Sequence, residues 1–431
     1  MRERLKKVGL AGFGVCTGLL GWQFVGYPLT MGLLARAKGA TDEPPDTDNM
    51  SPSDTPFITV IVPSYNESSV VAKRVENLRK QIYPNDRYEV LFVDSGSTDG
   101  TADVLRDALD DLGPDDPPMR LVEEGERSGK ASAINHGVDQ GHGEVVLVTD
   151  ANSVFAPATI ARVAPHFSNP TTGAVAGRLG VLDTGSSLTA SNQFYRDLEH
   201  MKALGGALLG SVSQFDGELS AWRAGIVRAD ETSLSEDLDL SIRIHEAGYR
   251  ITYEPRALVY ESEPDTVAEQ IASNKRRLIG TIQSLIRHWR YLVVPGDWYR
   301  ALVFPSRKAL PMFSPFLCLG SAVCFVVTLA VAPLAALAAA LLVGIAGIGT
   351  FGALLAVRDD LLADTLPTAA SNDEPDEADG GSGTEENGGV RWLLGIARYV
   401  AVIEYTILLA WWDYLTGDYS VRWRKSASDR E

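Results

Sequence analysis

Short apolar runs and helical repeats alternate through the middle of this chain, and long uninterrupted apolar stretches lie towards its ends. The runs Ile58 to Pro63, Tyr88 to Val93, Met119 to Val122, Val145 to Thr149 and Gly173 to Val181 are rich in β-branched residues and bounded by turn formers, which predicts strands. Between the early ones, the spacing of apolar positions predicts helices over Ser69 to Gln81, Thr101 to Leu109 and Lys130 to Val138. Strands alternating with helices predict an α/β domain with a largely parallel sheet. Ligands bind beyond the carboxyl ends of strands in such sheets. The polar clusters Ser64-Tyr65-Asn66-Glu67, Asp94-Ser95-Gly96-Ser97 and Asp150-Ala151-Asn152 all fall there.

The apolar stretches set the organisation. Val8 to Ala35 is long enough for one membrane span, Leu310 to Val357 for two, and Trp392 to Leu415 for a fourth interrupted by Arg398 and Glu404. The first is longer than the apolar segment of a signal peptide and no small-residue cleavage site follows it, so it reads as an uncleaved anchor. The expected order is an anchor over 1–40, an acidic linker over 41–56, the α/β domain over 57–290, an interfacial segment over 291–308, transmembrane segments over 309–357, an acidic disordered loop over 358–390, a transmembrane helix over 391–416 and a tail over 417–431. Trp298 and Tyr299 beside Arg300, Arg307 and Lys308 fit a membrane interface.

Net charge changes this picture only locally. The formal charge of -17 is concentrated between Thr41 and Asp54 and between Asp359 and Glu386. An acidic, lysine-poor surface suits a halophilic protein; two acidic disordered segments account for the same number. Either way a broad nucleic-acid face is excluded. Cys16, Cys318 and Cys324 lie in apolar stretches, with neither a disulfide framework nor zinc spacing. Arg287 to Lys308 places the domain in the cytoplasm by the positive-inside rule. Arg2, Arg4, Lys6 and Lys7 favour that same side, which a single first span forbids, so topology stays open.

Two acidic sites carry the chemistry. Asp150 ends an apolar strand, and Glu236-Asp237 opens an amphipathic helix that runs to Gly248. One carboxylate that holds a metal and another that accepts a proton are what sugar transfer from a nucleotide donor requires. Plainer roles exist for each motif. Asn66 or Ser68 can cap a helix, Asp99 can cap the helix starting at Thr101, and acids at a helix start satisfy its dipole. Gly129-Lys130 lacks the upstream glycine of a phosphate-binding P-loop.

Val62-Pro63-Ser64-Tyr65-Asn66-Glu67 and Phe92-Val93-Asp94-Ser95-Gly96-Ser97-Thr98-Asp99-Gly100-Thr101 together resemble the N-terminal half of family 2 glycosyltransferases, which have the GT-A (Rossmann-like, α/β) fold. Arg127-Ser128-Gly129-Lys130-Ala131-Ser132-Ala133-Ile134-Asn135 is similar to the family's Gly-Lys-x-x-Ala-x-Asn run. Asp150-Ala151-Asn152 stands at its Asp-x-Asp position, and Glu236-Asp237 at its Glu-Asp position. Gln214-Phe215-Asp216-Gly217-Glu218 resembles the acceptor-side segment. Val25-Gly26-Tyr27-Pro28-Leu29 and the later membrane segments are similar to the membrane-bound branch that includes poly-N-acetylglucosamine synthase-like enzymes.

The resemblance implies a membrane-bound inverting glycosyltransferase in cell-surface glycan assembly. Asp237 would be the general base. Pro63, Tyr65, Glu67, Asp94, Lys130, Asp150, Glu236 and Arg277 would contact the substrates, and Asp150 with Asn152 would hold Mg2+ or Mn2+. The implied partners are a nucleotide-sugar donor, expected to be a UDP-sugar, a glycan or polyprenyl-phosphate-linked acceptor and membrane lipid. The implied location is the cell membrane, multi-pass, with the catalytic domain cytoplasmic. Ser95 and Asn152 each replace an expected Asp. Asn274-Lys275-Arg276-Arg277-Leu278 keeps the Arg of the processive Gln-x-x-Arg-Trp motif and loses its Gln and Trp, which argues for one or few additions unless Trp222 or Trp289 supplies the ring. The alternatives are a processive exopolysaccharide synthase, a nucleotidyltransferase and an inactive scaffold of a glycan-export complex.

Overall fold

The β-branched runs of the central region form strands because alternate side chains can be buried on both faces. A computed structural model describes residues 1–38, 55–181, 189–213, 215, 217–261, 267–293, 296–365 and 388–419. The linker over 41–56 and the acidic loop over 358–390 lie largely outside the described residues, as do most of the tail and Gln214 and Asp216. In chain order the elements are α1 (Arg2–Ala37), β1 (Ile58–Ser64), α2 (Val71–Arg79), β2 (Tyr88–Asp94), α3 (Thr101–Asp110), β3 (Met119–Glu123), α4 (Lys130–Gln140), β4 (Val145–Val148), β5 (Val154–Phe155), α5 (Thr159–Val163), β6 (Thr172–Val181) and α6 (Thr189–Leu208). Then follow β7 (Ser220–Arg223), α7 (Glu236–Glu246), β8 (Arg250–Glu261), α8 (Val267–Arg287), the short α9 (Trp289–Val293), α10 (Tyr299–Val331), α11 (Pro333–Thr365) and α12 (Gly388–Thr416).

The eight strands form one sheet in the order β3-β2-β1-β4-β7-β6-β8-β5. The first four are parallel, as the alternation with helices requires. The other half is mixed: β7 runs antiparallel to both β4 and β6, β8 is parallel to β6, and β5 closes the edge antiparallel to β8. The sheet is therefore less parallel than the sequence pattern suggests: β7 enters antiparallel to both neighbours although α6 lies between β6 and β7. Strand order reverses at β1, between β2 and β4, and a crevice forms beyond the carboxyl ends of strands at such a point.

Period-two alternation divides the core. Val60, Val62, Val90 and Phe92 face α2, where Val71, Val75 and Leu78 are buried. Ile61, Val93, Val146 and Val148 face the opposite way, onto Ile134 of α4 and Leu240 and Ile244 of α7. That second layer also contains Met201 of α6, Ala35 of α1, and Leu354, Val357 and Leu361 of α11. The domain and its apolar helices thus share one core. A third cluster joins Leu238 and Ile242 of α7 to Ile279 and Ile282 of α8, Tyr299 and Phe304 of α10, and Ala410 of α12.

Among the described residues three helices are long and apolar enough to cross a membrane: Arg2–Ala37, Tyr299–Val331 and Pro333–Leu362. The apolar run from Leu310 breaks at Ala332, between α10 and α11. Leu334, Leu341, Leu342 and Ile348 on α11 are largely exposed, an outward apolar surface suited to lipid. Helix α1 lies along α10, with Trp22 Nε1 donating to Ser306 Oγ at 2.9 Å, and meets α11 through Arg36 and Asp360 at 2.9 Å. The Arg36–Asp360 contact marks the end of α1 nearest the domain. The basic residues Arg2, Arg4, Lys6 and Lys7 sit at the far end of α1.

Candidate active site

The site is assembled from loops at the carboxyl ends of β1, β2 and β4 and from the first turn of α7. After β1 the chain turns at Asn66, which has a φ of 57°, and its side-chain oxygen accepts from Thr98 N at 2.8 Å. Asn66 N donates to Ser97 Oγ at 2.9 Å, and Glu67 N donates to Thr101 Oγ1 at 2.8 Å. The two loops are therefore stitched side by side. Asp99 accepts from Thr101 N and Ser68 N, the capping role open to it from the sequence. Pro63 pairs with Val93 inside the sheet, and Glu67 is buried. Asp94 is buried and accepts from both the N–H and the hydroxyl of Ser97. The guanidinium of Arg127 lies 4.0 Å from the centre of the Tyr65 ring. Tyr65, Asp94 and Arg127 thus offer a flat cationic and aromatic surface beside a hydrogen-bonding carboxylate.

Lys130 is the first residue of α4, after Gly129, whose φ of 102° only glycine adopts readily. Its Nζ lies 2.7 Å from Asp150 Oδ1 and 3.3 Å from Glu236 Oε1. Burial disfavours the ammonium, but Asp150 and Glu236 outweigh it and hold the Lys130 pKa above the ordinary lysine value. Gly217 keeps this corner open: a Cβ there would stand 2.9 Å from Lys130 Nζ. Asn135, the last residue of the Gly-Lys run, donates to Ala229 O at 2.9 Å and accepts from Ala229 N at 3.0 Å. It ties α4 to the loop that leads into α7.

Asp150 faces two acids that sequence reasoning did not assign. One ligand oxygen each from Asp150, Glu218 and Glu261 lies within 4.8 Å of the others. Asn152 Nδ2 approaches Glu261 Oε1 at 3.5 Å, so the Asn borders this trio as a neutral neighbour. Burial and the charge of Glu218 push Glu261 well up, while Glu218, despite its own burial, is held low chiefly by Arg277. Burial also raises Asp150. Lys130 and Arg277 offset part of the negative charge of these three carboxylates, and their oxygen-only ligand set suits Mg2+ or Mn2+. The residues present fit a divalent ion.

Behind Asp150 stands Arg74, nearly fully buried in α2. It donates to Thr149 Oγ1 at 2.6 Å and stacks on Phe155 at 4.3 Å. Burial pulls its pKa to about 9, against the opposing charge of Asp150.

Helix α7 starts after Ser235 with Glu236, Asp237 and Asp239 in its first turn, where the helix dipole favours negative charge. Ser235 Oγ and Leu238 N both donate to Asp237 Oδ1, at 2.6 and 2.8 Å. Burial and the adjacent Glu236 nevertheless raise the Asp237 pKa. A half-buried carboxylate with raised basicity can accept a proton. Arg276 of α8 acts electrostatically on Glu236, Asp237 and Asp150, and Arg277 Nη2 reaches Glu218 Oε1 at 3.4 Å. The two arginines therefore serve different parts of the site. Neither tryptophan lines the cavity that holds these groups. Trp222 is 1% exposed and stacks on Phe215 at 6.2 Å beneath the site, and Trp289 projects from α9 with 55% exposure.

A cavity of about 590 Å³ joins these groups and continues between α1, α11 and α12. Its lining includes Lys130, Asp150, Glu218, Glu236 and Asp237 at one end.

Residues 59–216 match the family described as glycosyl transferase family 2, and residues 145–351 match glycosyl transferase family group 2. A beta-monoglucosyldiacylglycerol synthase from Synechocystis sp. is 27% identical over 296 residues, which is 65% of this chain and 60% of the relative. A poly-beta-1,6-N-acetyl-D-glucosamine synthase from Staphylococcus epidermidis is 26% identical over 49% of this chain and 51% of the relative. The chain thus spans about half to three-fifths of these relatives' length. Among solved structures, a mannosyltransferase from Pyrobaculum calidifontis in complex with GDP-Man and Mn2+ is similar with a TM-score of 0.58 and 26% identity, covering 82% of this chain and 99% of that one. With a GT-A sheet carrying the motif ends on one crevice, and family matches that together run from residue 59 to residue 351, the chain belongs to glycosyl transferase family 2.

Proposed function

We propose that this protein is a membrane-anchored inverting glycosyltransferase that moves a sugar from a nucleoside diphosphate donor to an acceptor hydroxyl. The observation that carries the reading is the convergence of Lys130, Asp150, Glu236 and Asp237 on one cavity, from the starts of α4 and α7 and the end of β4. The family membership supports it independently.

In this reading Tyr65 and Asp94 receive the base, with Pro63 and Glu67 shaping the loop that holds it. Lys130 and the amino end of α4 receive the diphosphate, and Arg276 and Arg277 add positive charge from α8. Asp237 takes the proton from the acceptor hydroxyl as its oxygen bonds to the anomeric carbon. The bond from that carbon to the diphosphate oxygen breaks, and the nucleoside diphosphate leaves with the electron pair. One displacement inverts the anomer and needs one base. Asp150, Glu218 and Glu261, with Asn152 beside them, would hold Mg2+ or Mn2+, which when bound offsets the charge of the leaving diphosphate. The mannosyltransferase complex with GDP-Man and Mn2+ supports both the donor class and the ion.

The acceptor is a glycan or a polyprenyl-linked glycan at the membrane, in cell-surface glycan assembly, and the catalytic domain faces the cytoplasm. The domain limits at 57–290 and the spans flanking it belong to the same reading. Incubating the purified protein with a panel of uridine and guanosine diphosphate sugars tests it. Acceptor-dependent release of the nucleoside diphosphate, with an inverted anomer by NMR, is the expected result. Retention of the anomer, or release of pyrophosphate in place of the nucleoside diphosphate, rejects it.

A further inference from the structure

We propose that Arg74 is a positioning residue for the metal site: from α2 it fixes the segment that carries Asp150 and Asn152, and so sets how tightly that segment holds a divalent ion. The inference rests on the reading of Asp150 as a metal ligand and deepens it by naming the residue that holds that ligand from behind.

Positions 74, 77 and 81 are spaced i, i+3 and i+7, so their side chains leave α2 and its end along one line. All three are polar, and all three reach the same stretch of chain. Arg74 Nη2 donates to Thr149 Oγ1 at 2.6 Å, on the residue before Asp150. Asn77 accepts from Phe155 N and donates to Phe155 O, both at 2.9 Å, beyond Asn152. Gln81 Nε2 donates to Ala156 O at 3.0 Å. Arg74 Nη1 joins the row by donating to Asn77 Oδ1 at 2.5 Å, and its guanidinium lies 4.3 Å from the centre of the Phe155 ring. The loop over 150–154 is thus gripped at both ends by one helix face, and Arg74 touches both ends.

Folding alone does not account for an arginine here. Its Nε is buried and has no hydrogen-bond partner among the described residues, and an unpaired buried N–H costs stability. An apolar side chain of similar size would fill the space without that cost. Charge alone does not account for it either. A positive charge that acts on Asp150 weakens the pull of that carboxylate on a dication. What arginine supplies is a planar fork that reaches Thr149 and Asn77 at once. A loop held in place before the ion arrives loses less freedom on binding it.

The test uses the full chain in lipid nanodiscs without donor, with free Mn2+ read by electron paramagnetic resonance and folding followed by thermal melts. Arg74→Met fills the space and loses the fork. It should weaken Mn2+ binding about 10–100-fold, the usual cost of losing a partner that orients a metal ligand. Arg74→Lys keeps the charge but cannot span both acceptors, and it should also bind more weakly than the wild type. Thr149→Val removes only the accepting hydroxyl and should weaken Mn2+ in the same direction, whereas Thr149→Ser should bind as the wild type does. That pair decides the matter if Arg74→Met does not fold. In transfer assays the apparent KM for Mn2+ should rise with the dissociation constant, while kcat at saturating Mn2+ changes less. Wild-type Mn2+ affinity in folded Arg74→Met, with only the melting temperature changed, would make Arg74 a structural residue and overturn the proposal. Tighter Mn2+ binding would overturn it too, because charge would then outweigh the clamp. In both cases the acidic trio stands as the metal site. A wild-type protein that binds no Mn2+ fails the metal reading and this inference together.

Discussion

Lys130 Nζ lies 2.7 Å from Asp150 Oδ1 and 3.3 Å from Glu236 Oε1, so one ammonium spans the end of β4 and the start of α7. Without it two half-buried carboxylates face each other across the cavity. The same ammonium is within reach of any diphosphate that enters, and it starts a helix whose free N–H groups point the same way.

Lys130→Met should therefore cost transfer much more than it costs folding. The expected drop in kcat/KM is about 10²–10³-fold, the range for removing one donor from a developing anion. Lys130→Arg should restore only part, because a planar guanidinium does not replace a compact ammonium in this corner. Steady-state kinetics with thermal melts on the same samples check this. Wild-type kinetics in Lys130→Met would contradict it.

Metal affinity should depend on pH with a definite sign. Burial raises Asp150, and burial with Glu218 raises Glu261, so both hold protons at a pH where ordinary carboxylates have lost them. An ion must displace those protons, so Mn2+ binds more tightly as pH rises, by up to about tenfold per pH unit for each proton released. Electron paramagnetic resonance of free Mn2+ in the absence of donor measures it. Glu261→Gln should weaken binding about 10–100-fold. A flat pH profile would remove the acidic trio from the metal site.

Gly280 of α8 packs directly on the start of α7. A Cβ there would stand 2.7 Å from Ser235 Cβ and 2.8 Å from the carbonyl carbon of Leu234, at the cap of the helix that presents Asp237. Gly280→Ala should push that cap and lower kcat about 10²-fold, the cost of a misplacement near 1 Å, with donor KM little changed. An unchanged kcat would show that α8 yields instead.

The first half of the site was legible in the sequence and the second was not. Strands β1 to β4 follow their apolar runs, and local turn chemistry places Asp94, Lys130 and Asp150 at their ends or just after them. Asn152 also lies where the tripeptide suggests, beside Glu261. In the sequence Glu218 reads only as part of the acceptor-side segment and Glu261 does not stand out, because their approach to Asp150 depends on the mixed pairing of β6, β7 and β8. Strand β7 has only four residues, and Pro255 interrupts the pattern of β8. Arg74 reads as an ordinary polar position on a helix; only the packed structure shows it enclosed behind Thr149. Trp222 shows the opposite failure, an aromatic offered as an acceptor surface that instead fills the core under α7.

Product length follows from that last point. Leu278 stands in the Trp position of the processive motif and packs against the cluster around Ile279 and Ile282, and Trp222 is buried. An acceptor chain has no tryptophan at either position to hold it between additions, so one or few sugars should be added per encounter. Sizing products at limiting enzyme decides it. Long chains appearing while most acceptor is unused would show processive synthesis.

The account centres on Asp237 as the base. Asp237→Asn keeps the shape of the side chain and its place at the start of α7 but removes the proton acceptor. Transfer by this variant, measured as acceptor-dependent nucleoside diphosphate release at saturating donor, should fall by about 10²–10⁴-fold, the usual contribution of a general base, with donor affinity unchanged. Transfer near the wild-type rate would contradict the account.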